Sequence, residues 1–187
     1  MMVLLIPAFG QTNPEEWFTQ GVALMNQSNY HEAIKAFDKA VELNPQYTEA
    51  WAGKGWASYG SSRYNEALQE YNKAIELDPN YADAWVGKGF ALLALDLLSE
   101  TLNAFNQAIA LDPNHGLAWI GKLFVYSPHQ FNTFFNADIF DKAIKLNPNY
   151  AARLVASSYY GNLSFQREVF LKGGCPRTSE ATRFWPS

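Results

Sequence analysis

Apolar residues along this chain fall into short blocks with helical spacing. One set of blocks repeats the same apolar side, as Ile34, Val41 and Leu43, then Leu68, Ile75 and Leu77, then Leu102, Ile109 and Leu111. Each preceding block has two apolar stripes. One runs through Trp51, Gly55 and Ser58. The other is Phe18, Val22 and Met25, repeated as Ala52, Trp56 and Tyr59, as Val86, Phe90 and Leu93, and as Ile120, Phe124 and Ser127. Spacing of i, i+4, i+7 places each set along one edge of a helix. The polar stretches NQSNY at 26–30 and GSSRY at 60–64 divide the blocks, and prolines follow Asn or Asp at 14, 45, 79, 113 and 148. A residue before proline is pushed out of the helical region, so each of these pairs should end a helix. The pattern predicts helix pairs joined by tight turns, repeated down the chain.

The repeat extends to single columns. Trp17, Trp51, Trp85 and Trp119 open the first helix of each unit, and Gly21, Gly55 and Gly89 follow four residues later, with Leu123 in the fourth. In the second helix come Ala33, Ala67 and Thr101, then Phe37, Tyr71, Phe105 and Phe140, then Ala40, Ala74, Ala108 and Ala143, and each unit closes on Pro45, Pro79, Pro113 or Pro148. This arrangement closely resembles the tetratricopeptide repeat, a helix–turn–helix unit of 34 residues. The resemblance covers 14–47, 48–81 and 82–115, and less well 116–150. It implies an all-α fold, a right-handed α-solenoid of antiparallel helix pairs.

Small residues at the Gly and Ala columns let two helix backbones approach closely. The tryptophans and the second-helix aromatics are expected to fill the space between successive helices, and no unit buries its apolar faces alone. A second glycine column, Gly53, Gly87 and Gly121, is not part of the family's usual pattern. Nor are Lys54, Lys88 and Lys122, which stand where the family has leucine; their stems should pack while the ammonium groups reach water.

In proteins of this family the outer edge of the first helix lines a concave groove that binds peptides. The resemblance implies a groove lined by Phe18, Val22, Trp56, Tyr59, Phe90, Leu93 and Phe124. Gly53, Gly87 and Gly121 beside it are expected to let a ligand backbone come close. Some members clamp the carboxylates of chaperone tails with Lys, Asn and Arg. Here those positions are apolar or Gly, so an apolar protein or peptide segment is the expected partner.

The pattern weakens toward the C-terminus. Asp96 stands at the turn of the third unit. In the fourth, Pro128 interrupts the first helix, Asn136 takes the packing-alanine position, and Phe131, Phe134 and Phe135 need cover. Residues 151–161 read as a capping helix and 162–187 as a partly disordered non-repeat tail, with a short helix at 164–172. The alternative function is a structural or self-assembling subunit of a larger complex, an envelope complex being one option, built through this degenerate C-terminal end.

Composition adds exclusions. The net charge is −4 with acids and bases mixed along the chain, so the basic patch of a nucleic-acid binder is missing. The single Cys175 reads as a spectator thiol and permits no internal disulfide. His31, His115 and His129 sit at turns and share no ligand spacing. Glu32, Glu66 and Glu100 open second helices, where a carboxylate suits the helix dipole. Asn13-Pro14-Glu15-Glu16 reads as a helix cap. No metal, cofactor or catalytic motif is present, which points away from an enzyme. No apolar run approaches the length of a membrane span. Residues 1–13, an apolar extension, read either as a segment packed on the first helix or as the end of a signal peptide. The expected location is cytoplasmic, with export as the alternative in the second case, where the sequons NQS and NLS would gain meaning.

Overall fold

The computed structural model describes residues 13–126 and 137–146. Within them eight helices follow one another: α1 Pro14–Asn26, α2 Tyr30–Leu43, α3 Thr48–Gly60, α4 Tyr64–Leu77, α5 Ala82–Ala94, α6 Leu98–Leu111, α7 Gly116–Tyr126 and α8 Ala137–Leu146. The N-terminal segment to residue 12, Phe131, Phe134, Phe135, Pro148, the expected cap at 151–161 and the tail at 162–187 lie outside the described residues, as does the side chain of Phe140.

Short-range chemistry sets the helix ends. Asn13 caps α1 by accepting the Glu15 amide on Oδ1 at 3.0 Å, with Pro14 in the first turn. Asn44 and Asp78 close α2 and α4 in extended conformations, and Asp112 does the same for α6, as the following proline requires. Each then turns the chain by accepting the amide two residues on: Asn44 from Gln46 (3.1 Å), Asp78 from Asn80 (2.9 Å) and Asp112 from Asn114 (2.9 Å). Inside each of the first three pairs the turn passes through a left-handed residue: Ser28 (φ 59°), Ser62 (φ 67°) or Asp96 (φ 61°). Asp tolerates that region better than most side chains do.

Every helix packs on the one before it and the one after it. The first helices α1, α3, α5 and α7 also touch one another in succession, while contact between successive second helices is marginal at most. The array therefore closes toward its first-helix side, which forms the concave face.

The core separates two columns that the sequence suggests act alike. Phe37, Tyr71 and Phe105 have no exposed surface, whereas Trp17, Trp51, Trp85 and Trp119 are only partly buried. The last three tryptophans staple the loop between units: their Nε1 atoms donate to the carbonyls of Pro45 (3.0 Å), Pro79 (3.0 Å) and Pro113 (2.9 Å). A half-buried indole N–H needs such an acceptor. Thr101, standing for the packing alanine, is fully buried and donates its hydroxyl to the Leu97 carbonyl at 2.8 Å.

Each buried ring lies between two glycines. A Cβ on Gly21 would stand 2.6 Å from the Phe37 ring, and one on Gly53 2.8 Å from it. Gly55 and Gly87 flank Tyr71 in the same way at 2.7 and 2.3 Å, and Gly89 and Gly121 flank Phe105 at 2.6 and 2.2 Å. The expectation that Gly53, Gly87 and Gly121 open the groove to a ligand backbone is therefore corrected. They hold the next unit against the ring of the unit before it, which is why two helix-weakening residues recur in the first helices of the second and third units, each of which has a ring on both sides.

Candidate functional site: the concave face

The seven residues proposed from the sequence lie on the first helices α1, α3, α5 and α7 and divide into two layers. Val22, Tyr59, Phe90 and Phe124 are at most 9 % exposed and belong to the core between repeats. Phe18, Trp56 and Leu93 are partly exposed, as is Met25. Neighbouring units cover the buried four. The Trp56 ring crosses from α3 to α5, with its centroid 6.2 Å from Phe90, 6.0 Å from Tyr59 and 5.7 Å from Tyr71 beneath it. Phe18 lies 5.7 Å from Phe37 and 5.2 Å from Tyr47. What reaches solvent is a row of aromatic and aliphatic surface on a rigid floor.

At the N-terminal end of the same helices stands a row of carboxylates, Glu15, Glu49 and Asp83. Each precedes the apolar edge residues by three and seven positions (Glu49 before Ala52 and Trp56, Asp83 before Val86 and Phe90), so acid and apolar surface share one edge. The Tyr47 hydroxyl is pushed up to about 12, by burial first and then by Glu49 and Glu15. His115 spans two units, its Nε2 2.8 Å from Asp83 Oδ1. The sequence shows His115 only as a turn residue; its partner is 32 positions away, at an offset close to the repeat period.

The lysines of the first helices point to the other side. Lys54 Nζ lies 2.7 Å from Asp38 Oδ1 on α2 and 3.4 Å from Glu70 Oε1 on α4, and 5.5 Å from the Trp51 ring centroid. Burial pulls Lys54 down, but Asp38 and Glu70 more than offset it and hold the ammonium above its usual pKa. Glu70 is pushed up, chiefly by burial, and is only partly relieved by Ser58 and Lys54. The two ends differ because Asp38 is the closer partner of Lys54, while Glu70 is the more deeply buried group. Lys88 and Lys122 stand over Trp85 and Trp119 at 5.3 and 5.9 Å. At the offsets of Asp38 and Glu70 the next unit has Asn72 and Ala104. Lys88 makes no ion pair among the described residues, and burial lowers its pKa.

Among the described residues no group of three or more His, Cys, Asp or Glu is placed to hold a metal ion, and no helix is long and apolar enough to cross a membrane. The chemistry on offer at this face is contact: apolar anchoring beside a negative rim.

Comparison with known proteins agrees with the geometry. Two family models, both described as tetratricopeptide repeat, match residues 18–82 and 58–123, and together they span more than half of the chain. No curated protein sequence matches it. Among solved structures, the Arabidopsis OM64 TPR domain superposes with a TM-score of 0.60 at 20% identity, covering 63% of this chain and 98% of that one. A MamA RS-1 double mutant gives 0.62 at 25%, covering 74% and 78%. The first TPR of Spaghetti (RPAP3), bound to the HSP90 peptide SRMEEVD, gives 0.59 at 21%, covering 65% and 96%.

Proposed function

The chain belongs to the tetratricopeptide repeat family, and we propose that it is a non-catalytic interaction scaffold that holds a protein or peptide segment along its concave face. The observation behind this is the partly exposed row of Phe18, Met25, Trp56 and Leu93 on first helices already packed side by side. A preformed apolar floor takes up a ligand with little reorganisation of the protein, so less binding free energy is lost to ordering. Trp is also the residue type most enriched among side chains that dominate binding energy. A relative of the same fold holds a peptide, which supports the reading by analogy. The HSP90 peptide SRMEEVD bound by that relative is not the expected kind of ligand here, because the positions where some family members clamp carboxylates are apolar or glycine.

Selection of a random peptide library on the full chain tests the proposal. Trp56→Ala should weaken the selected peptides by more than about tenfold, as loss of a central aromatic anchor does. Circular dichroism checks that the variant is folded. Peptides that bind the folded variant as tightly as the wild type would overturn the groove.

A further inference from the structure

We propose that the groove selects a segment combining apolar anchors with at least one lysine or arginine, the cation seating on the rim formed by Glu49 and Asp83. The inference rests on the groove reading above and names the chemistry of its occupant. The charges of the first helices carry it. Apart from Lys54, Lys88 and Lys122, helices α1, α3, α5 and α7 contain no basic residue. Lys54 is committed to Asp38 and Glu70 on the second helices, and Lys88 and Lys122 occupy the same register over their tryptophans. The edge bearing the apolar row thus has carboxylates at Glu15, Glu49 and Asp83 and no opposing lysine or arginine among the described residues.

Acidic residues in a first turn also complement the helix dipole, and that alone would explain their presence. Register distinguishes them. These three lie three and seven positions before the apolar row, on its own edge, whereas Glu16 in the same first turn of α1 lies off it. Glu15 and Glu49 make no ion pair among the described residues. Asp83 has His115 of the following unit at 2.8 Å. An anionic segment would meet like charge here, which opposes binding and selects against such partners. A segment with a cation beside its apolar anchors meets complementary surface along the edge of the first three units.

The test uses the full chain and the peptides selected on it. Each is synthesised in its selected form, with Lys and Arg changed to Gln, and with them changed to Glu. The cationic form should bind on the order of tenfold tighter than the Gln form, and the Glu form weaker still. Raising salt from about 50 mM to about 500 mM should weaken the cationic form and leave the Gln form nearly unchanged. Glu49→Gln/Asp83→Asn should flatten the preference, and Glu49→Lys/Asp83→Lys should reverse it, with folding checked by circular dichroism. A purely structural role for these acids would move the melting temperature and leave the charge preference intact, which would overturn the proposal. Peptides that depend on Trp56 but are indifferent to charge would overturn it while the groove stands. Peptides indifferent to Trp56→Ala would overturn the groove itself.

Discussion

Gly87→Ala sets two effects of known size against each other. In an isolated helix the change is favourable by about 1 kcal/mol, because alanine loses less backbone freedom on folding. In this protein the added Cβ would stand 2.3 Å from two carbons of the Tyr71 ring, well inside contact distance. Tyr71 has no exposed surface and is held from the other side by Gly55, where a Cβ would stand 2.7 Å away, so the ring has no open direction in which to yield. Overpacking a closed site costs about 1–3 kcal/mol, and this geometry belongs at the upper end. The variant should therefore lose about 2 kcal/mol in urea unfolding at unchanged slope. Trimming the ring should release the clash: in a Tyr71→Leu background Gly87→Ala should become favourable again, a coupling of about 3 kcal/mol across the cycle. A Gly87→Ala protein as stable as wild type, with impaired peptide binding, would refute the packing explanation and restore a direct role in the groove.

Three further outcomes are expected. Ser62→Gly removes a left-handed non-glycine residue and should stabilise the chain by about 0.5–1 kcal/mol after the added freedom of the unfolded chain is allowed for; thermal unfolding measures it, and a lower melting temperature would contradict it. Lys88→Leu removes a half-buried ammonium that makes no ion pair among the described residues and should raise the midpoint of urea unfolding, whereas Lys54→Leu leaves Glu70 buried without its cation and should lower it. Because Glu70 titrates above its unfolded value in the folded protein, its penalty is present above the folded pKa and is relieved as pH falls through that value toward the unfolded one; Glu70→Gln should thus gain on wild type at neutral pH and lose that advantage on acidification, as read from paired urea titrations.

Periodicity made the helices, their ends and the small-residue columns legible, because Asn/Asp–Pro pairs and i, i+4 spacing act within one unit. What escaped was chemistry between units. Gly53 and Asp38 have meaning only when an adjacent repeat is stacked on them. A signal existed: Phe37, Tyr71 and Phe105 each stand sixteen positions after one glycine and before another, and Lys54 stands sixteen after Asp38 and before Glu70. The groove stripe was legible as a register. The covering of Val22, Tyr59, Phe90 and Phe124 was not, because burial depends on how closely the first helices approach.

Occupation of the concave face by the partner can be followed residue by residue. Chemical-shift mapping of the full chain, titrated with the tightest selected peptide, tests it most directly. The Trp56 indole and the amides around Phe18, Glu49, Asp83 and Leu93 should respond, while α2, α4 and α6 stay largely still. Shifts gathered on the second helices, around Asp38, Glu70 and Ala104, would contradict it.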